Sequence, residues 1–181
     1  MSKTNFLHTL FSCYIQAFRL VDRSGFRNLL KFCRPSLLEK DIPHRHIIRK
    51  EILRRANVAE ARVRENMNKV PSKISFMFDA WTSAPGDPYL SLTAHYIDAP
   101  ADCPSAWKLK TEQLIFQQIE GRHTGKNMAD ILRCALDRYQ LHGKVGWFTS
   151  DGAAVNRTTL RALQDSTSIE TGWTAKEHDM L

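Results

Sequence analysis

Asp79 and Asp151 are the residues of this 181-residue chain whose positions point most directly to chemistry. Each closes an apolar, strand-like run. Lys73 to Asp79 reads KISFMFD and is followed by AWTS; Lys144 to Asp151 reads KVGWFTSD and is followed by GAAVN. Two carboxylates brought side by side repel, and a hard divalent cation such as Mg²⁺ or Mn²⁺ removes the repulsion by taking their oxygens as ligands. Two such ions, roughly 3.5–4 Å apart, clamp the attacking and leaving oxygens of a phosphodiester displacement. A third acidic residue is normally needed to complete that arrangement. Spacing alone leaves a plainer reading open: Asp79 can cap a turn through Thr82 or Ser83, and Asp151-Gly152 can form a turn or a helix N-cap.

The pair can act together only if the intervening elements bring it together. Ile74, Phe76 and Phe78 alternate with Ser75 and Met77 and predict a first strand, buried on both faces and ending at Asp79. Ala84 to Pro88 (APGDP) is a turn. From Tyr89 to Asp98, Leu90, Leu92, Ala94 and Tyr96 alternate with Ser91, Thr93 and His95 and predict a half-buried strand. A loop, APADCPS, leads to a third strand over Trp107 to Ile119. Loops this short favour antiparallel neighbours. A helix follows Gly125, with Met128, Ile131, Leu132, Ala135 and Tyr139 on one face, and Gly143 is its expected stop. Val145 to Thr149 is a fourth strand, and a helix follows Asp151 through Leu160 and Leu163. A right-handed crossover returns the fourth strand parallel to the first. The two aspartates then share one end of the sheet.

Upstream, residues 5–70 read as helical. A first helix is expected from Phe6 to Phe18 and a second through Phe26, Leu29, Leu30 and Phe32, ended by Pro35. Asp41 is the expected N-cap of a long helix from His44 to Met67. Its stripe is Ile48, Ile52, Ala56, Ala59, Val63 and Met67. The formal charge of +7 is concentrated here: residues 1–73 hold 16 Lys or Arg against 6 Asp or Glu. A basic segment points to a polyanion partner, nucleic acid above all, and equally to a set of solvated helix faces. Four scattered cysteines form no metal-ligand pair and fit reduced thiols. No apolar run reaches the roughly 18 residues of a membrane span.

The ordered set FDAWTS, YLSLTAHYID, WKLKTEQLIF, GRHTGKNMADIL and TSDGAAVN resembles the catalytic core of the hAT superfamily of DNA transposases. FRLVDRSGFRNLLKFCRPS is similar to the helical segment that precedes that core. The resemblance spans roughly Ile15 to Asn156. It implies an RNase H-like fold, with Asp79 and Asp151 as the first two catalytic, metal-ligating aspartates, Mg²⁺ or Mn²⁺ as cofactor, DNA as partner and the nucleus as location. It implies no small-molecule substrate. The family's BED-type zinc finger, Cys-x-x-His motif, catalytic glutamate and C-terminal dimerisation region have no counterpart in the chain, and Glu170 and Glu177 come too early to be that glutamate.

The expected protein is therefore α/β. A basic all-α segment (1–70) precedes a truncated RNase H-like core (71–181) of three antiparallel strands, a helix, a parallel strand and a helix. The function expected is that of a partial hAT-type transposase, inactive alone and at most DNA-binding. The alternatives are a transposase-derived module for DNA binding or protein interaction, without catalysis, and a small nuclease working alone. Arg49, Arg54, Arg55 and Lys126 are the candidate DNA contacts. His95 can assist the metal site or be satisfied by a nearby hydroxyl. His123 precedes a helix whose exposed N–H groups can bind an anion, and a capping or loop role is the expected one. Trp81, Trp107 and Trp147 are expected in the core. Asn156 and Arg157 either orient the ligand or substrate or lie on a helix surface.

Overall fold

The computed structural model describes residues 17–99 and 102–166. The chain divides into two compact units, Met1–Arg62 and Val63–Leu181. The expected helix from Phe6, Cys13, Trp173, Glu170 and Glu177 lie outside the described residues, apart from the helix's last two positions.

The first unit is built around a buried arginine. A 3-10 turn at Phe18–Asp22 leads into helix α1, Ser24–Cys33. A second 3-10 turn, Glu39–Asp41, precedes helix α2, Arg45–Lys69, which runs on into the second unit. Val21, Ile42 and Ile48 form a small core with Phe26, Leu30 and Ile52 packed against it. Arg27 donates to the carbonyls of Val21, Glu39 and Ile42 and to the Glu39 carboxylate. A buried guanidinium is tolerable only when its donors are satisfied in this way. Hydrogen bonds from Lys31 and Arg27 in turn hold the Glu39 carboxyl below its usual range.

Two expectations for this region are corrected. Asp41 does not cap α2: its carboxylate accepts from the Leu38 amide, and the Arg45 amide at the start of α2 donates to Asp22. The stripe along α2 is buried only toward its ends, at Ile48 and Met67, whereas Ala56 and Ala59 are exposed. Alanines satisfy a hydrophobic period without requiring burial.

The second unit contains a four-stranded sheet, in the order β3-β2-β1-β4. Its strands are β1 (Ile74–Thr82), β2 (Pro88–Asp98), β3 (Lys108–Gln118) and β4 (Val145–Thr149). β1 and β3 both pair antiparallel with β2, and β4 pairs parallel with β1. Helix α3, Gly125–Tyr139, joins β3 to β4, and helix α4, Ala154–Ser166, follows β4. This is the mixed α/β order expected of an RNase H-like core preceded by helices.

One sheet face carries the core. Ile74, Phe76 and Phe78 of β1 and Leu90, Leu92, Ala94 and Tyr96 of β2 pack with Met128, Leu132, Ala135 and Leu136 of α3 and Leu163 of α4. β3 carries a bulge at Leu114, which turns inward, and the Tyr139 hydroxyl donates to the Leu114 carbonyl at 3.1 Å. The expectation that β1 is buried on both faces is corrected. Ser75, Met77, Asp79 and Trp81 lie on the other face, where Met77 is 46% exposed. The stop of α3 is Gln140, in the left-handed conformation at φ 58°, and not Gly143, which sits in a following 3-10 turn.

α3 and α4 approach each other unusually closely at their N-terminal ends. A Cβ built on Gly125 would fall 2.3 Å from Thr158 Oγ1 and 2.8 Å from the Thr158 carbonyl carbon. Only glycine fits at that contact. Both helices begin at the sheet end where β1 and β4 finish, so the packing fixes where the loop carrying Asp151 leaves the sheet.

Candidate metal-binding site on the open sheet face

Asp79 sits inside β1, three residues before its end at Thr82, and not at the strand terminus. Its parity places it on the face opposite the core, with Ser91 of β2 as its cross-strand neighbour. The parallel pairing of β1 with β4 sets Phe76 against Phe148 and Met77 against Thr149. Continued two residues past the end of β4, that register sets Asp79 level with Asp151. Both residues are exposed. The fold therefore brings the two predicted site aspartates to one end of the sheet.

The two carboxylates are held differently. Asp79 makes no hydrogen bond or ion pair among the described residues. Asp151 Oδ1 accepts from the Ala153 amide at 3.2 Å and from Asn156 Nδ2 at 2.5 Å. The first contact is an Asx-type turn that leads the chain into α4. The second comes from a side chain that is almost wholly buried. Among the described residues, Asp151 Oδ2 and both Asp79 oxygens thus carry no protein partner. Exposed anionic oxygens of this kind suit Mg²⁺ or Mn²⁺. Two residues supply them: among the described residues no group of three His, Cys, Asp or Glu side chains is placed to hold a metal ion.

An aromatic cluster flanks Asp79 on the same face. Trp81 pairs across the strands with Tyr89, and Phe116 of β3 completes the group, with ring centroids 5.4–5.9 Å apart. The expectation of a core role for the tryptophans is corrected. Trp107 and Trp147 are 59% and 62% exposed, and Trp81 is half-buried on the open face. Residue type announced aromatic packing here, but not which sheet face is covered.

The remaining site expectations resolve one by one. His95 shares the Asp79 face but lies four residues along β2 from Ser91, and it is hydrogen-bonded to Thr111 Oγ1 at 3.2 Å. The hydroxyl-satisfied reading therefore holds. The cap of α3 is Thr124, whose Oγ1 accepts from the Asn127 amide, with His123 in the preceding loop. Lys126 is exposed in the first turn of α3. Arg54 makes a two-point contact to Glu51, at 2.8 Å for each bond, and Arg55 reaches the same carboxylate. Arg49 is exposed and has no acidic partner among the described residues. Of the two readings left open for Asn156, the structure supports contact with Asp151. Sequence alone leaves the two readings of Asn156 open because its burial depends on how α4 packs.

The sheet order, the crossover and the aspartate pair define an RNase-like domain. The chain belongs to the ZBED1 RNase-like domain family, whose model matches residues 77–176. It is a hAT-type, transposase-like chain. It is 25% identical over 151 residues to tpeD of Talaromyces stipitatus, described as a transcriptional regulator, covering 82% of this chain and 17% of that protein. It is 25% identical over 166 residues to Zea mays proteins described as AC and AC9 transposases, covering 90% of this chain and 20% and 19% of theirs. The chain thus spans about a fifth of the length of the curated relatives it matches. No solved structure matches it. No helix among the described residues is long and apolar enough to cross a membrane.

Proposed function

We propose that this chain carries two legs of a transposase-type metal site, Asp79 and Asp151, in a nuclear protein that binds DNA through basic side chains and does not cut it unaided. The observation that supports this reading is the parallel register of β1 and β4, which, continued past Thr149, sets Asp79 level with Asp151, with three of their four oxygens free of protein donors among the described residues. A divalent ion bound there would polarise a phosphodiester and activate water. The chain's own contribution is to hold the ligand oxygens in place and to present Arg49 and Lys126 to the phosphate backbone. Among the described residues two acidic ligands serve this site, and cleavage awaits a third. Calorimetric titration with Mn²⁺ tests the site: heat of binding in the wild-type chain, lost in both Asp79→Ala and Asp151→Ala, supports it. Efficient Mn²⁺-dependent nicking of DNA by this chain alone would overturn the claim of inactivity.

A second reading has support from the shortage of ligands and from the relative described as a transcriptional regulator. In it, the chain is a transposase-derived module for DNA or protein binding, and the aspartates have structural roles only. DNA binding with no Mn²⁺ uptake at any concentration would favour it.

A further inference from the structure

Among the described residues, one side chain beyond the Asx-type turn contacts Asp151, and it closes the TSDGAAVN stretch. Asn156 lies in the first turn of α4, five residues beyond Asp151, and is 2% exposed. Its Nδ2 donates to Asp151 Oδ1, while its own Oδ1 is buried without a hydrogen-bond partner. A buried amide with half its capacity unsatisfied is costly, and an apolar residue of similar volume would avoid that cost. The direction of the amide is fixed by chemistry: a carboxylate can only accept, so the NH₂ end must face it. Together with the Ala153 amide, Asn156 takes up Oδ1 of Asp151 and stops the carboxylate from rotating. Oδ2 is then the oxygen left for an ion. An aspartate at position 156 would oppose Asp151 with a second negative charge, and leucine would offer no donor.

We infer that Asn156 is a positioning residue that holds Asp151 in a single ligand-ready orientation, an inference that rests on the metal reading above. Outer partners of metal ligands commonly change affinity by about 10–100-fold.

Two measurements on the full chain test it. In the metal-free protein, the Asn156 side-chain amide should give a shifted, slowly exchanging nitrogen–proton resonance that moves to the position of a free amide in Asp151→Ala. An amide resonance unmoved by Asp151→Ala overturns the inference, and this readout needs no substitution at position 156. In Mn²⁺ titrations followed by calorimetry and electron paramagnetic resonance, Asn156→Leu should bind about tenfold or more weakly than wild type. Thr159→Val should match wild type; it alters a neighbouring buried hydroxyl of α4 that, among the described residues, bonds to Val155 O and Met128 Sδ and not to Asp151. Wild-type uptake matched by Asn156→Leu would overturn the positioning role alone. A wild-type chain that takes up no Mn²⁺ overturns the metal reading and this inference with it.

Discussion

Asp79, inside β1, comes level with Asp151, two residues past the end of β4, when the register of Met77 with Thr149 is continued, and among the described residues only Asp151 is hydrogen-bonded to its surroundings. That asymmetry separates ligand chemistry from stability. Asp79→Ala removes an exposed side chain with no partner among the described residues and should change the metal-free stability by no more than about 0.5 kcal/mol. Asp151→Ala removes the acceptor of two hydrogen bonds at the start of α4, leaves the Asn156 amide stranded, and should cost about 1–2 kcal/mol. Both should abolish Mn²⁺ uptake. Urea unfolding of the two variants beside the metal titration distinguishes a ligand from a structural cap.

Gly125→Ala should be among the most damaging small substitutions in the second unit. The new methyl would overlap both the side chain and the backbone of Thr158, so rotation of the hydroxyl alone cannot relieve it. Forcing α3 and α4 apart should cost about 1–3 kcal/mol, as overpacking of a filled interface does. Gly143→Ala, where an added methyl meets nothing within 4 Å, should be close to neutral. If Gly125→Ala unfolds at the wild-type urea midpoint, the close helix approach is wrong.

The strands were legible because a pleat leaves a period of two, and Leu90 to Tyr96 follow it without exception. The crossover rule then places β4 beside β1 and the two aspartates at one end of the sheet. What was not legible depends on solvent exposure. Met77, Trp81 and Trp147 are as apolar as core residues, and only the packing of α3 and α4 on the opposite face decides that they stay outside. Asp79 reads as a strand terminus because a charged residue looks like the end of an apolar run, yet on the open face it interrupts nothing: Ala80 continues the core face and Trp81 the open one. Gln140 ends α3 in a conformation that glycine usually occupies, so the glycine three residues on was the misleading signal. Asn156 closes TSDGAAVN, but nothing local separates a ligand-orienting role from a helix-surface one, because its burial is a tertiary fact.

DNA binding should separate the candidate cations by how far each is already neutralised. Arg49 and Lys126 are exposed and have no acidic partner among the described residues, so each can displace a counterion from a phosphate. Alanine at either position should lower the slope of log K against log salt by about 0.9 for duplex DNA if it contacts one phosphate. Arg54 and Arg55 share the Glu51 carboxylate, and alanine at either should have a smaller effect. Fluorescence anisotropy at several salt concentrations measures all four slopes. A salt-independent affinity would reduce the basic helices to solvated surface.

Glu51 gives α2 a predictable acid response. Its hydrogen bonds from Arg54, then from Arg55, hold its carboxyl down at about 2, below the ordinary 4.5. A carboxyl depressed in the folded state adds stability that is fully present above its unfolded value and is lost as pH falls through its folded one. The contribution should therefore be intact at neutral pH, weaken below about 4.5 and vanish near 2. Glu51→Gln should lack this part of the acid response, so its helical circular dichroism at increasing temperature should vary less between pH 5 and pH 2 than that of the wild type. The same variant removes the carboxylate that neutralises Arg54, and at neutral pH it should bind DNA more tightly with a steeper salt slope. Unchanged acid sensitivity together with an unchanged slope would show that the three side chains are not coupled in solution.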